Sequence, residues 1–324
     1  MLGSKLSVAT ALVLAFSAAA SAQDMKHVAI STIVEVPALN ETREGVMLGL
    51  ADAGYVEGEN LTVDYQNANG NMPTQQQIAA KFAGEDPDVI VAITTPTAQA
   101  LLSATDTIPI VFASVTDPVK AKLISQYPQP GGNVTGIADA APIRQQVDLM
   151  LEIVPDIKTI GFIFNPGLDN AVATLDALRA DVEPRGITVV ESPAPTTNEV
   201  IPAARKLVGK VDAVYVPNDS TIVAALESII KVGQDTDMPI FAGETGAVHR
   251  GVIASVGLDY IALGKVAGGM AARILEGEEP GMIDAVIAYE MLSQFKVVVN
   301  KGAAEAMGVT LSEAVIAQAT EIVE

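Results

Sequence analysis

The chain has no cysteine and no tryptophan, two histidines, and aromatic residues at only 4% of its 324 positions. Without cysteine there can be no disulfide framework, no thiol chemistry, no lipid attachment at a lipobox and no His/Cys zinc site. Basic residues are scarce as well: 19 Lys and Arg stand against 39 Asp and Glu, a formal net charge of −20 at pH 7. Such acidity argues against nucleic acid or an anionic membrane as partner, because both require basic patches. The G-x-x-x-x-G-K-[ST], G-x-G-x-x-G and G-x-S-x-G motifs of common catalysts are also missing. His27 sits near the N-terminus, His249 lies beside Arg250, and no spacing of acids singles out a catalytic pair. The expectation is a protein that is not an enzyme and uses no cofactor or metal.

Long apolar runs are equally rare. Beyond the N-terminus each is cut by charge, Gly or Pro within about ten residues, short of the roughly 20 needed to span a bilayer. Residues 1–22 read as a cleavable export signal: Lys5, the apolar stretch LSVATALVLAF, and Ala20-Ser21-Ala22 as an A-x-A cleavage site. The mature protein is therefore expected to be free and soluble in a bacterial periplasm.

What the chain does have is a repeated pattern. Five short apolar runs each end in small polar or acidic residues: VIVAIT before TPTAQ, IPIVFA before SVTDP, TIGFIFN before PGLDN, DAVYVPN before DSTI, and MPIFAGE before TGAV. Apolar runs of roughly four to eight residues, alternating with helical patterns, predict parallel strands buried on both faces. HVAIST, LTVDYQ and ITVVES extend the series, with LTVDYQ alternating as an edge strand does. The helices between them carry stripes such as Ile78/Phe82 and Ile143, Val147, Met150, Leu151, Val154. This βα alternation predicts an α/β protein with doubly wound parallel sheets. The length suits two lobes, and the best break in periodicity is YPQPGGNVTG at 127–136. GVIASVGLD is a second extended stretch, followed by a helix whose Gly264, Gly268 and Gly269 predict close backbone packing.

Several segments carry a resemblance: STIVEVPALNETREGVMLGLADAGY, TTPTAQALL, VFASVTDPVKAKL, GGNVTGI, YVPNDSTIV, FAGETGAV and GLDYIALG. In their order and spacing the chain resembles substrate-binding components of bacterial ABC transporters, specifically the family related to tryptophan/tyrosine-type uptake proteins. The resemblance implies a type I periplasmic-binding-protein fold, with two doubly wound lobes joined by a three-crossover hinge. The lobes would span 25–136 with 258–288, and 137–257 with 289–324. It also implies a monomer that binds a small amino-acid-like solute, aromatic amino acids among them, and delivers it to the permease transmembrane subunits. A sensory protein presenting the same ligand to a membrane receptor would share the fold. The chain departs from the family where a His and an Asp are common, carrying Val36 and Asn40, and where Asn is frequent, carrying Ser220.

In an open parallel sheet, ligands sit beyond the carboxyl ends of the strands, which makes the polar clusters the candidate site. Thr32 and Glu35 follow the first strand. Thr95, Pro96 and Thr97 open a helix whose free N–H groups favour an anion, although Thr97 also reads as an N-cap. Thr116 and Asp117 come next, Asp117 doubling as a turn former before Pro118. From the second half come Asn165, Asn218, Asp219, Ser220, Glu244, Thr245 and Asp259. A desolvated ammonium needs a carboxylate, and either Asp219 or Glu244 is the candidate partner, the other being a capping acid. Asp259 reads equally as the cap of the following helix.

Overall fold

Val89–Ile93 and Ile110–Val115 are buried at every position, which a strand achieves only when layers cover both faces of its sheet. The computed structural model describes residues 25–291 and 295–324; the export signal expected at 1–22 lies outside them. The first half runs β1 (Lys26–Thr32), α1 (Pro37–Asp52), β2 (Leu61–Asn67), α2 (Met72–Glu85), β3 (Val89–Ile93), α3 (Thr95–Ala104), β4 (Ile110–Val115) and β5 (Val134–Ala138). The second runs α4 (Ile143–Ile153), β6 (Thr159–Phe164), α5 (Asp169–Val182), β7 (Thr188–Pro193), α6 (Val200–Leu207), β8 (Ala213–Val216), α7 (Ser220–Val223), α8 (Leu226–Thr236), β9 (Ile240–Ala242), α9 (Gly246–Arg250) and β10 (Ala254–Gly257). The chain then returns through α10 (Tyr260–Leu275) and β11 (Val286–Ile287) before β12 (Lys296–Asn300) and β13 (Glu321–Val323).

Two sheets result. The first is six-stranded in the order β11-β5-β4-β3-β1-β2, parallel throughout, and the second begins β7-β6-β8-β9, also parallel. Strands β10, β12 and β13 form a third, small sheet, with β10 and β12 antiparallel. It continues alongside β9 through Ile253 N–H donating to Ile240 O at 2.9 Å and Asn300 N–H donating to Ile253 O at 2.8 Å. Alternation along the strands splits the first lobe's core in two. Val28, Ile30, Val91 and Val111 pack with Val46, Leu50 and Leu263 of α1 and α10. Ala29, Ile90, Ala92 and Phe112 pack with Ile78, Phe82 and Leu101 of α2 and α3.

The doubly wound architecture expected from the βα rhythm is therefore present, twice. The edge strand is also where alternation placed it, as β2. The Pro/Gly stretch at 127–136 is the connection that delivers the chain into β5. That strand belongs to the six-stranded sheet as far as Ala138, so the first crossing follows Ala138. The second follows Gly257 and the third follows Ile287, where β11 ends beside β5.

Helix α10 is the element that ties the crossings to the first lobe, and it does so by backbone contact with α1. A Cβ on Gly264 would overlap the Thr42 carbonyl oxygen and lie 2.8 Å from Gly45 Cα; one on Gly268 would overlap the Val46 carbonyl oxygen and lie 3.0 Å from Gly49 Cα. Two G-x-x-x-G ridges, Gly45/Gly49 and Gly264/Gly268, thus interlock. Gly269 departs from the expectation, because a Cβ there meets nothing within 4 Å; it points away from the α1 contact. Gly264→Ala should accordingly destabilise the fold by about 1–3 kcal/mol through overpacking. Gly269→Ala should be neutral or stabilising by up to about 1 kcal/mol. Denaturant midpoints of the two variants check this, and equal midpoints would contradict the packing argument.

Candidate functional site

The strand orders β2-β1-β3-β4-β5 and β7-β6-β8-β9 each reverse direction once, between β1 and β3 and between β6 and β8. At such a switch point adjacent loops run to opposite faces and leave a crevice beyond the strand ends. Here the two crevices face each other and enclose one narrow chamber with about 50 Å³ of free space. From the first lobe it is lined by Val34, Val36, Ala38 and Leu39 after β1, Thr94, Thr95 and Pro96 after β3, Ser114 and Thr116 at the end of β4, Asp139 after β5, and Tyr260 at the head of α10. From the second come Asn170 of α5, Asn218, Asp219, Ser220 and Val223 around α7, and Glu244 after β9. No Lys, Arg or His is among these residues.

Three carboxyl groups inside the chamber differ in how they are held. Asp219 is saturated: Oδ1 accepts from Thr221 N–H at 2.9 Å and Ile222 N–H at 3.2 Å, and Oδ2 accepts from Asn165 N–H at 2.6 Å. It caps α7 and pins the β6 end to the β8 end. Burial pushes it up from 3.8 to about 6, partly opposed by those N–H groups. Asp139 is weakly held, accepting from Thr116 Oγ1 at 3.4 Å and from the Tyr260 hydroxyl at 3.3 Å. Burial raises it from 3.8 to about 6. Glu244 Oε2 accepts from Gly246 N–H at 2.7 Å, whereas Oε1 is buried with no partner in the protein. Burial lifts Glu244 from 4.5 to about 7. Tyr260 links these groups across the lobes: its hydroxyl accepts from Asn218 Nδ2 at 3.0 Å while donating to Asp139.

Hydrogen-bonding capacity is left open toward the chamber. Thr95 Oγ1, Asn170 Oδ1 and Asn218 Oδ1, like Glu244 Oε1, are buried and have no partner in the protein. Thr95 is the first residue of α3, so its hydroxyl and the free N–H groups of that helix end form one anion-accepting corner. The backbone is strained at the same place. Thr94 has φ +91° and Ser114 φ +52°, values that L side chains, and β-branched ones above all, adopt at a cost of order 1–3 kcal/mol. A hydrogen bond of 2.8 Å between Thr42 and Ser114 and one of 3.0 Å between Thr94 and Thr97 hold them there.

Of the residues expected from sequence, Thr95, Pro96, Thr116, Asn218, Asp219, Ser220 and Glu244 line the chamber. The others have other work. Thr32 donates to Val34 O at 3.1 Å, and exposed Glu35 accepts from the Tyr65 hydroxyl at 3.0 Å. Thr97 is not an N-cap; it lies inside α3, fully buried, donating to Gln75 Oε1 at 3.4 Å. Asp117 closes a turn through Val119 and Lys120 N–H. Asp259 caps α10 at Ala262 N–H, 3.0 Å away, and lies 3.4 Å from Lys296. Thr245 packs its methyl group on Gly257, and Asn165 donates to Thr221 Oγ1 at 2.9 Å outside the chamber. Asp139, Ser114, Asn170 and Tyr260 were not anticipated. For Asp139 a signal existed, since VTGIA ends in an acid just as the other strands do.

At the margins the lobes touch. Gln99 Nε2 donates to Asp169 Oδ2 at 2.7 Å, and Lys120 lies 2.9 Å from Asp176. Among the described residues no group of three or more His, Asp or Glu could hold a metal ion, and no helix is long and apolar enough to cross a membrane.

Comparison with known proteins gives a consistent set of likenesses. A model of the family described as ABC transporter substrate binding protein matches residues 27–323. A tyrosine-binding protein of Clostridioides difficile (strain R20291) is 39% identical over 282 residues, 87% of this chain and 81% of that protein. The solved ABC domain from Streptococcus pneumoniae in complex with L-Trp superposes with a TM-score of 0.88 at 32% identity, over 93% of this chain and 100% of the other. A ligand-free, open substrate-binding protein with adhesive properties from Clostridium difficile gives 0.70 at 35% identity, over 93% and 99%. The better fit to the L-Trp complex agrees with the lobe contacts just described.

The raised carboxyl groups set a pH dependence. Folded Glu244 keeps its proton to about 7 against 4.5 unfolded, so the folded state binds more protons across that window. Stability is then fully present below about 4.5 and falls as pH rises toward 7; Asp139 and Asp219 act likewise between 3.8 and about 6. Scanning calorimetry without ligand should show a melting temperature that declines from pH 5 to pH 8. Glu244→Gln should flatten the upper part of that decline and melt higher than wild type at pH 8. A lower melting temperature for the variant at pH 8 would contradict the assignment.

Proposed function

The chain belongs to the family of ABC transporter substrate-binding proteins, and we propose that it captures an amino acid with an apolar or aromatic side chain and delivers it to the transmembrane subunits of an importer. The observation that carries this reading is the unpartnered Glu244 Oε1 in a chamber without basic side chains. A buried carboxylate of that kind is complementary to an ammonium group. Asp139, loosely bonded at 3.3 and 3.4 Å, supplies a second acceptor. The anion-accepting corner at Thr95 takes the carboxyl oxygens, and Val34, Val36, Leu39 and Val223 surround the side chain.

Work would be done by closure. A ligand touching Thr95 on one lobe and Glu244 on the other favours the closed arrangement by its differential affinity for it. Binding and release of this kind involve no bond making, and we read the protein as a carrier rather than an enzyme. Residues 1–22, with the pattern of an export signal, support a periplasmic location.

Thermal-shift and calorimetric titration with L-tyrosine, L-tryptophan and L-phenylalanine should show binding, while hexoses should not. The chain has no tryptophan, so an added L-tryptophan is the only indole in the sample and its fluorescence reports binding directly. Glu244→Gln should weaken the amino acid that binds by roughly 2–5 kcal/mol. Asp219→Asn keeps an Oδ1 that can cap α7 but sets an NH₂ group against the Asn165 N–H that Oδ2 accepts from, and should mainly lower the melting temperature, by about 1–3 kcal/mol of stability. Wild-type affinity in Glu244→Gln would refute the ammonium assignment, and a hexose binding in place of the amino acids would refute the ligand class.

A further inference from the structure

A second cavity adjoins the ligand chamber and shares two of its lining residues. Val34 of the first lobe and Ser220 of the second also line this adjoining cavity of about 320 Å³, whose lining includes neither Asp139 nor Glu244. Both lobes build it, and no charged side chain lines it. Its polar groups are amides and hydroxyls with capacity to spare. Thr221 Oγ1 accepts from Asn165 Nδ2 at 2.9 Å, which leaves its O–H free to donate. Asn69 Oδ1 accepts from Asn67 Nδ2 at 3.1 Å, which leaves the Asn69 NH₂ group outward. The Thr197 hydroxyl completes the set, over an apolar floor that includes Met72 and Leu168.

We propose that this second chamber is a ligand subsite, and that the preferred ligand is a short peptide with an apolar first residue rather than a free amino acid. The proposal rests on the reading of the first chamber given above. Peptide groups bring carbonyl acceptors and N–H donors without charge, matching a neutral lining of amides and hydroxyls. The first chamber favours the same choice. A free amino acid places its carboxylate in a closed space with Asp139, Asp219 and Glu244, a like charge added to three acids and no base. A peptide carbonyl meets the Thr95 corner with the same hydrogen bonds and no added charge, and its chain continues between Val34 and Ser220. Anything seated in the second chamber also bridges the lobes, so the extra residue adds to closure rather than only to contact.

Titration calorimetry with L-tyrosine and with tyrosyl-glycine tests the proposal on the full mature chain. The dipeptide should bind at least ten-fold tighter than the amino acid. Thr197→Trp, at an exposed position, fills the second chamber; it should weaken the dipeptide at least ten-fold and leave L-tyrosine within about two-fold. L-tyrosine binding as tightly as the dipeptide, or a dipeptide affinity untouched by Thr197→Trp, would overturn the second subsite while leaving the amino-acid reading in place. Failure of both ligands, together with the other aromatic amino acids and their glycyl dipeptides, would overturn the reading of the first chamber and this proposal with it.

Discussion

Desolvated carboxyl groups set the terms on which this cleft exists. Asp139, Asp219 and Glu244 lie in a closed space that offers them no basic side chain, and each is forced toward its protonated form by burial. Only Asp219 is compensated within the protein, by three backbone N–H groups. Asp139 and Glu244 retain a cost that the rest of the fold must carry. The ammonium group of the proposed ligand would relieve it, making binding energy out of what is otherwise a liability. The same logic explains why the open valences of the chamber belong to residues from both sheets: the relief is complete only when the lobes are together.

Carrying that cost requires a rigid frame, and the frame is built where side chains are smallest. Gly45 and Gly49 of α1 meet Gly264 and Gly268 of α10 at backbone distance, which fixes α10 against the first sheet although it follows the second lobe in sequence. Tyr260, the first residue of α10, is thereby held between Asp139 and Asn218. The chain's own return thus places the hydroxyl that joins two of the three crossing regions to the end of β8.

Much of this was legible in the sequence, and the parts that were not share a cause. Parallel strands buried on both faces leave uninterrupted apolar runs such as VIVAI and IVFASV, so the sheets and their polar ends stand out. What sequence does not encode locally is whether a polar side chain is satisfied by its neighbours. Asp117 and Asp259 follow strands just as Glu244 does, and Thr97 lies in the first turn of α3, yet turn N–H groups, a helix N-terminus and Gln75 consume their capacity. Asp139 was hidden by the Pro/Gly stretch before β5, which has the composition of a linker. Tyr260 was hidden by distance, since its two partners lie 42 and 121 residues away in the chain.

The contacts at the lobe margins carry one further consequence. Gln99 with Asp169 and Lys120 with Asp176 join the two halves without touching the chamber, so they act whether or not it is filled. Of the two only Lys120–Asp176 is an ion pair; exposed pairs are worth about 0–1 kcal/mol each, and a tenfold change in an equilibrium takes about 1.4 kcal/mol. The clasp can therefore bias an empty molecule toward shutting by less than about one order of magnitude for each such contact. That strength suits the carrier role proposed above. In that role a stronger clasp would present empty molecules to the membrane in the shape of loaded ones, and each false docking would occupy a site on the importer without moving any cargo.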